Sequence, residues 1–158
     1  MKGFTMLILP SFRFFAMTFL LAAAAHAQSS ILAEANSGEQ VYKAMCAACH
    51  ETGVALAPKL GDRAAWTPLI AEGQHVLTGH AWVGVRAMPP RGGSAKLPLA
   101  DFARAVAFMA RTSGANWKDP DSRLLLEIVK EADKRLTKSI KEQQAMQREL
   151  HSIAKAAK

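Results

Sequence analysis

The only two cysteines of the chain, Cys46 and Cys49, lie in the segment MCAACHETG, and His50 directly follows the second one. Two thiols at this spacing can form a disulfide, half of a zinc site, a redox-active dithiol or a covalent anchor for haem. A disulfide here would close a very short loop and would therefore contribute little to stability. The surrounding sequence has to distinguish the remaining three kinds of site.

The surroundings of the cysteine pair favour covalent haem attachment. A structural zinc site needs four protein ligands, and only Cys46, Cys49 and His50 lie together. A thioredoxin-like dithiol needs a βαβ setting, which this sequence does not predict. Thiols at positions i and i+3 at a helix end share a face, so each can bond a haem vinyl group while the next imidazole turns to the iron. We therefore predict one haem c on Cys46 and Cys49, with His50 as an iron ligand.

A sixth iron ligand would have to come from another part of the chain. The candidates are Met45, Met88, Met109, Met146, His75, His80 and His151. Met45 is too close to the attachment helix, Met109 belongs to an apolar helix stripe, and the two histidines of the middle helix suit solvent-facing or core positions. Met88 differs because it precedes two prolines in a stiff loop that can return across the haem from His50. A thioether ligand stabilises ferrous iron and raises the reduction potential.

The first 27 residues have the pattern of a cleaved export signal. Lys2 and Arg13 precede the apolar run FFAMTFLLAAAA, and AHA places small residues at −3 and −1 of a cleavage site after Ala27. A retained membrane anchor is the alternative, but the apolar run is shorter than the ~20 residues that a membrane span needs. We expect export to the periplasm, because bacterial c-type haem is attached outside the cytoplasm.

The net charge of the chain is +7, and it falls to about +5 without the two basic residues of the signal. A mild basic excess suits an acidic protein partner. No basic run interleaved with aromatic residues predicts a nucleic-acid groove. Lys59, Arg86, Arg91 and Lys96 flank the loops expected near the haem edge. We expect redox protein partners with acidic docking surfaces, and no nucleic acid.

Helix-start signals organise the first half of the mature chain. Ser37 and Gln40 form a capping box in front of the helix that carries the cysteines. Asp62 is expected to cap a short helix over RAAW. Thr67 and Pro68 are expected to cap and begin a second helix over residues 68–82.

A last short helix is predicted over Leu99–Thr112, ending at Gly114. Its apolar face carries Phe102, Val106 and Met109. No alternating strand is evident, so the predicted fold is all-α with two long loops. Helices this short enclose little core, and a buried haem would supply the missing apolar interior.

The segments GEQVYKAMCAACHETGVALAPKLGDRAAW and AMPPRGG resemble the class I c-type cytochromes, most closely the bacterial cytochrome c5 group. The resemblance covers residues 34–112. It implies the class I cytochrome c fold, with three main helices around a covalent haem. It also implies that Cys46 and Cys49 are the thioether anchors, that His50 is the proximal iron ligand and that Met88 is the distal one.

The resemblance further implies contacts around the haem. Gly38 and Tyr42 should lie where the first and last helices cross. The Pro58 carbonyl should accept a hydrogen bond from His50 and so fix its ring. Trp66 should either donate to a haem propionate or belong to the core. The chain departs from the cytochrome c5 group in lacking a second cysteine pair after the methionine loop, which removes a local disulfide but leaves the haem site.

The resemblance does not account for residues 114–158. From 124 to 157 there is no proline or glycine, and apolar residues recur at alternating steps of four and three, which predicts one long helix with a heptad seam. The seam consists of Leu125, Val129, Ala132, Leu136, Met146, Leu150, Ile153 and Ala157, interrupted by Ser139 and Gln143. Intermixed charges favour a solvated helix over a membrane-binding one. We expect residues 120–157 to pack on the haem domain, to pair as a homodimer or to dock on a larger redox complex.

These features divide the chain into a signal peptide (1–27), a cytochrome domain (28–113) and a linker with a long helix (114–158). The function they favour is a periplasmic mono-haem carrier of one electron between redox proteins, and not an enzyme. The alternative is a haem subunit of a larger oxidoreductase, docked through the C-terminal helix. A ligand-binding or catalytic haem protein would require Met88 to leave the iron.

Overall fold

The computed structural model describes residues 37–157, which are helical with connecting loops. Helix α1 covers residues 38–50 in three consecutive parts, with a π-helical turn over Tyr42–Cys46 between two α-helical ones, Gly38–Val41 and Ala47–His50. The later helices are α2 (Arg63–Ala71), α3 (Gln74–Val83), α4 (Leu99–Thr112) and α5 (Ser122–Ala156). Short 3₁₀ turns cover Val54–Leu56 and Pro90–Gly93.

The all-α fold class and the long C-terminal helix agree with the prediction. Within the described residues there is no strand, and Val85 and Met88 form an isolated bridge. No helix in that part of the chain is both long enough and apolar enough to cross a membrane. The predicted signal over residues 1–27 lies outside the described residues.

The boundary between the two middle helices differs from the prediction. Asp62 caps α2 as expected, but the helix continues through Thr67 and Pro68. The Thr67 hydroxyl donates to the Arg63 carbonyl at 2.8 Å, one turn earlier, so Thr67 lies inside a helix and caps none. The break comes at Gly73, whose φ of 94° leaves the helical region. The helix therefore breaks at Gly73, which adopts this conformation without strain, and not at the cap predicted for Thr67.

Helices α1 and α4 cross at close range. A Cβ atom on Gly38 would lie 2.8 Å from the carbonyl carbon of Arg104, so only a glycine lets the two backbones approach this far. One turn along, the rings of Tyr42 and Phe108 lie 5.5 Å apart. The predicted capping box is formed, with Gln40 and Ser37 bonded to each other's backbone N–H groups at 3.2 Å. The crossing at Gly38 and Tyr42 is therefore confirmed.

Helix α4 supplies most of the core. Its bounds are those predicted, and its predicted apolar face, Phe102, Val106 and Met109, is 1–3% exposed. The buried Met109 is thus a core residue, as expected. These side chains form one cluster with Tyr42 and Trp66, and half-buried apolar side chains of the neighbouring helices and loops pack against it.

The first half of α5 packs against α3 through only part of the predicted seam. Ile128, which the heptad pattern left out, is fully buried, and Ala132 is 6% exposed. Val129 and Leu136 are 47% and 50% exposed. The contact with α3 is short and follows the helical spacing of Ile128 and Ala132, so it shares Ala132 with the heptad stripe and adds Ile128 beside it. Beyond this contact the helix presents an exposed apolar stripe of Leu136, Ile140, Met146, Leu150 and Ile153.

Replacing Gly38 by alanine should destabilise the fold by about 1–3 kcal/mol, because the added methyl group collides with the α4 backbone at Arg104. The measurement is the urea midpoint of the haem-loaded protein. Ala44→Ser, which adds one atom to the exposed side of the same helix, is the control. Equal midpoints for Gly38→Ala and the control would contradict a close crossing.

Candidate haem site

Helix α1 brings both thiols and one imidazole to its C-terminal end. Cys46 is half-buried, Cys49 is exposed and His50 is buried, and both cysteines are free thiols. Burial, followed by the proximity of Cys49, raises the pKa of the Cys46 thiol to about 11. The free thiol is therefore protonated at neutral pH. No group of three His, Cys, Asp or Glu side chains within residues 37–157 is placed to hold a metal ion.

The imidazole of His50 is held by the loop that follows it. Its Nδ1 lies 2.9 Å from the Pro58 carbonyl oxygen, the contact that the resemblance implied. A carbonyl can only accept, so Nδ1 carries the proton and Nε2 keeps its lone pair for a metal. The backbone supports this geometry, because the His50 carbonyl accepts a hydrogen bond of 2.8 Å from the Leu60 N–H. The chemistry of this donor set fits an iron ligand with a fixed ring orientation.

Met88 lies in a tightly turned loop after α3. The N–H groups of Val85 and Met88 each donate to the other's carbonyl, at 3.1 and 2.9 Å. Gly84 begins the turn with a φ of 96°, and a Cβ atom there would lie 3.1 Å from the Pro90 nitrogen. The half-buried Met88 packs against the same core cluster as Cys46. The structure thus brings the methionine loop and the cysteine-bearing helix end to one core.

Apolar side chains around this core are only partly covered. Those that are half-buried against the cluster include Leu60, Leu69, Ile70, Leu77, Trp82 and Leu97. Leu56, in a strained turn with φ 62°, is 96% exposed. Incompletely buried apolar surface near the two thiols is what a large apolar group such as haem would cover. The residues present therefore fit the group that the sequence motif implies.

Trp66 has a structural role. It is 2% exposed, and its indole N–H donates to the Lys59 carbonyl at 2.8 Å. An indole has only one N–H, and in this structure it is bonded to the Lys59 carbonyl. The burial and this bond agree with the core position, and the propionate contact stays a prediction. The bond ties α2 to the loop that carries Pro58.

The other candidate ligands have different surroundings. His80 lies between two carboxylates, 3.3 Å from Glu72 and 3.3 Å from Glu131. Met146 and His151 are exposed on α5. Of the basic residues expected near the haem edge, Arg91 is stacked on the Trp82 ring at 4.7 Å, whereas the others are exposed.

One contact near the site had no signal in the sequence. The Tyr42 hydroxyl donates to the Glu51 carboxylate at 2.6 Å, which links the start of the π turn to the residue after His50. Burial, and then this hydrogen bond, raise the pKa of Tyr42 to about 12, so the phenol remains a donor at physiological pH. Side chains nine residues apart do not lie beside each other on a regular α-helix, so no periodic pattern in the sequence could have paired Tyr42 with Glu51.

Comparison with known proteins is consistent with this geometry. Residues 33–109 match the family model described as cytochrome C oxidase, cbb3-type, subunit III. Cytochrome c-555 of Chlorobaculum tepidum is 44% identical over 84 residues, which cover 51% of this chain and 78% of that protein. The chain belongs to the class I c-type cytochromes, in the cytochrome c5-like group. Cytochrome c5 of Azotobacter vinelandii is 40% identical over 78 residues, covering 48% of this cytochrome and 94% of that one.

A solved structure is also similar to this cytochrome. In the crystal structure of an electron transfer complex of nitrite reductase with cytochrome c, one chain is 46% identical and aligns with a TM-score of 0.46. The alignment covers 48% of this cytochrome and 93% of that chain. Membership of the cytochrome family makes the chain a haem electron carrier.

Trp66→Phe should lower the stability of the haem-loaded cytochrome by about 0.5–1.5 kcal/mol, because it removes the hydrogen bond from the buried indole to the Lys59 carbonyl, which keeps only the Asp62 N–H as a donor. The pH dependence of the reduction potential should not change, since the Trp66 N–H is bonded to the Lys59 carbonyl. Urea unfolding and potentiometry between pH 5 and 9 check the two parts. Trp117→Phe, at a half-buried position against the same core, is the control. A changed pH profile without loss of stability would support the propionate contact.

Proposed function

We propose that this cytochrome is a periplasmic carrier of one electron, with a single haem c bound through Cys46 and Cys49. In this proposal His50 is the proximal iron ligand and Met88 the distal one. The observation that carries the proposal is the Nδ1 contact between His50 and the Pro58 carbonyl, at the end of a C-x-x-C-H helix. The Met88 loop, which packs on the same core, supplies a soft ligand of the right chemistry.

When bound, the haem would supply an iron that alternates between ferric and ferrous states by taking up and releasing one electron. The chain's residues set the conditions for this exchange. Pro58 holds His50 in the tautomer that leaves Nε2 free. The thioether of Met88 favours the ferrous state. The partly covered apolar side chains around the core would exclude water from the haem. With two protein ligands on the iron, no position remains for a substrate, so the protein would not be an enzyme.

The partner would be a redox protein with an acidic docking surface. Lys59, Arg86 and Lys96 are exposed on the loops around the site. Arg91 contributes less freely, because its guanidinium is stacked on Trp82 and donates to the Ala95 carbonyl at 2.7 Å. Mobile exposed charges steer diffusional encounter more than they add affinity.

A second candidate function is a haem subunit held in a larger oxidoreductase or in a homodimer. The apolar stripe on the second half of α5 favours it, as does the family model's description as a cytochrome oxidase subunit. The solution mass of the haem-loaded cytochrome, purified with and without its cellular partners, tests this candidate. A monomer that co-purifies with no second chain would exclude it.

Met88→Ala should open the sixth iron position, so that the ferrous protein binds carbon monoxide rapidly. Met88→His should lower the reduction potential by more than about 59 mV, one tenfold step in a one-electron equilibrium, because the thioether preference for ferrous iron is lost. Potentiometry and carbon monoxide mixing check both results. Met45→Ala, at an exposed position beside Cys46, should match the wild type. Wild-type behaviour of both Met88 variants would overturn the proposed ligation.

Electron transfer to an acidic redox partner should slow as ionic strength rises, because screening weakens the long-range attraction of the exposed loop cations. Lys59→Gln and Lys96→Gln should reduce the rate at low salt and flatten its salt dependence. Lys155→Gln removes the same charge from the far end of α5 and should leave both unchanged. Stopped-flow kinetics at several salt concentrations measure this. A rate indifferent to salt would exclude electrostatic docking.

A further inference from the structure

The first half of α5 touches α3 almost backbone to backbone. A Cβ atom on Gly79 would lie 3.1 Å from the Ala132 nitrogen and 3.2 Å from the Ile128 carbonyl oxygen. Ile128 is fully buried at this contact. A glycine on one helix facing a small residue on the other allows this approach, and the Ile128 side chain then fills the space beside it. The two helices are therefore fixed to each other at close range.

A polar contact lies beside the apolar one. The His80 ring, on α3, is 3.3 Å through Nδ1 from a Glu72 carboxylate oxygen and 3.3 Å through Nε2 from a Glu131 carboxylate oxygen. Lys134 also contacts Glu131, at 3.2 Å. Its hydrogen bond, and then that of His80, lower the pKa of Glu131, so this carboxylate is ionised and accepts from both. Near the start of α3, the Gln74 side chain donates to the Lys118 carbonyl of the linker at 2.8 Å.

The end of α3 is the base of the methionine loop. Val83 is its last residue, and Gly84 and Val85 lead directly to Met88. Helix α5 runs past this point, because Val83 and Gly84 line one surface groove together with Leu136 and Ser139. The loop itself has two mutual backbone hydrogen bonds, between Val85 and Met88. Loops with few contacts open at low free energy, so fixing the base should restrict how often this one opens.

The geometry points to α5 as an internal brace for the Met88 loop, with Ile128 and Glu131 as positioning residues that act through α3. This inference rests on the proposed ligation of the haem iron by Met88. It assigns a role within the carrier to a helix that lies outside residues 33–109, the part that matches the cytochrome family model. The brace would keep the thioether at the iron and exclude competing small ligands.

The experiment uses the full-length haem-loaded protein and four variants. Ile128→Ala removes the buried side chain, Glu131→Gln weakens the contact with His80, and Ile128→Val should largely retain the packing. Ile140→Ala truncates an exposed side chain of the same helix and is the matched control. The readouts are carbon monoxide binding to the ferrous protein, the absorption band of methionine-ligated ferric iron, and hydrogen exchange of the Val85 and Met88 amides.

We expect Ile128→Ala to speed carbon monoxide binding on the order of tenfold, because a cavity at the base of the loop raises its open population. Glu131→Gln should have a smaller effect in the same direction. Both variants should weaken the ferric band and speed exchange at the two loop amides. Ile128→Val and Ile140→Ala should match the wild type. If Ile128→Ala does not fold, Glu131→Gln carries the test, because it preserves the volume of the side chain.

Met88→Ala separates the two possible failures. If it binds carbon monoxide rapidly while Ile128→Ala and Glu131→Gln behave as wild type, the brace is wrong and the ligation by Met88 stands. If Met88→Ala and the wild type bind alike, Met88 is not the ligand and both proposals fail. Rapid binding that is equal in Ile128→Ala and Ile140→Ala would also overturn the brace, because it would show no dependence on the contact with α3.

Discussion

The hydrogen bond between His50 and the Pro58 carbonyl is the constraint on which the site depends. It selects one tautomer of the imidazole, fixes the ring relative to α1 and leaves Nε2 available. The bond exists only because the loop after α1 returns to the helix, and that return is held by the Leu60 N–H on the His50 carbonyl. Trp66 supports the same loop by donating to Lys59, next to Pro58. A buried indole thus supports the loop that orients His50, the proposed iron ligand.

The remaining structure holds this helix end and the methionine loop on one core. The crossing at Gly38 locks α1 onto α4, and α4 carries the core on which both Cys46 and Met88 pack. On the other side, α3 carries the methionine loop and is backed by α5. The haem domain is small, and much of its apolar surface is only partly covered by protein. Covalent attachment offsets this, because a tethered group cannot leave when the surrounding shell loosens.

The sequence predicted the parts of the molecule that depend on local chemistry. The capping box at Ser37 and the bounds of α4 follow from short-range rules, and the structure agrees with both. The assignment of the C-x-x-C-H motif to haem also follows from a short-range rule and stays a prediction. The pairing of His50 with Pro58 and the crossing at Gly38 were accessible through the family resemblance, since each needs residues brought together by the whole fold.

The predictions that failed have two causes, a local backbone conformation at Gly73 and tertiary contacts elsewhere. The cap predicted at Thr67 did not form, because α2 continues through Thr67 and the helix break lies at Gly73, where φ is 94°. The heptad seam of α5 missed Ile128, because a short contact with α3 follows the helical spacing and not the repeat. The bond from Trp66 to the Lys59 carbonyl depends on the folded loop, and no pattern in the sequence indicates it. The bond between Tyr42 and Glu51 required the π turn, which no residue pattern announces.

The most direct test of the central claim is the intact mass of the protein recovered from the periplasm, measured after unfolding and treatment with a thiol-alkylating reagent. The account predicts the mass of residues 28–158 plus one haem, with neither Cys46 nor Cys49 alkylated, because both thiols would be bonded to the haem. A mass without haem and with two alkylated cysteines would contradict covalent attachment, and with it the assignment of this helix end as a haem site.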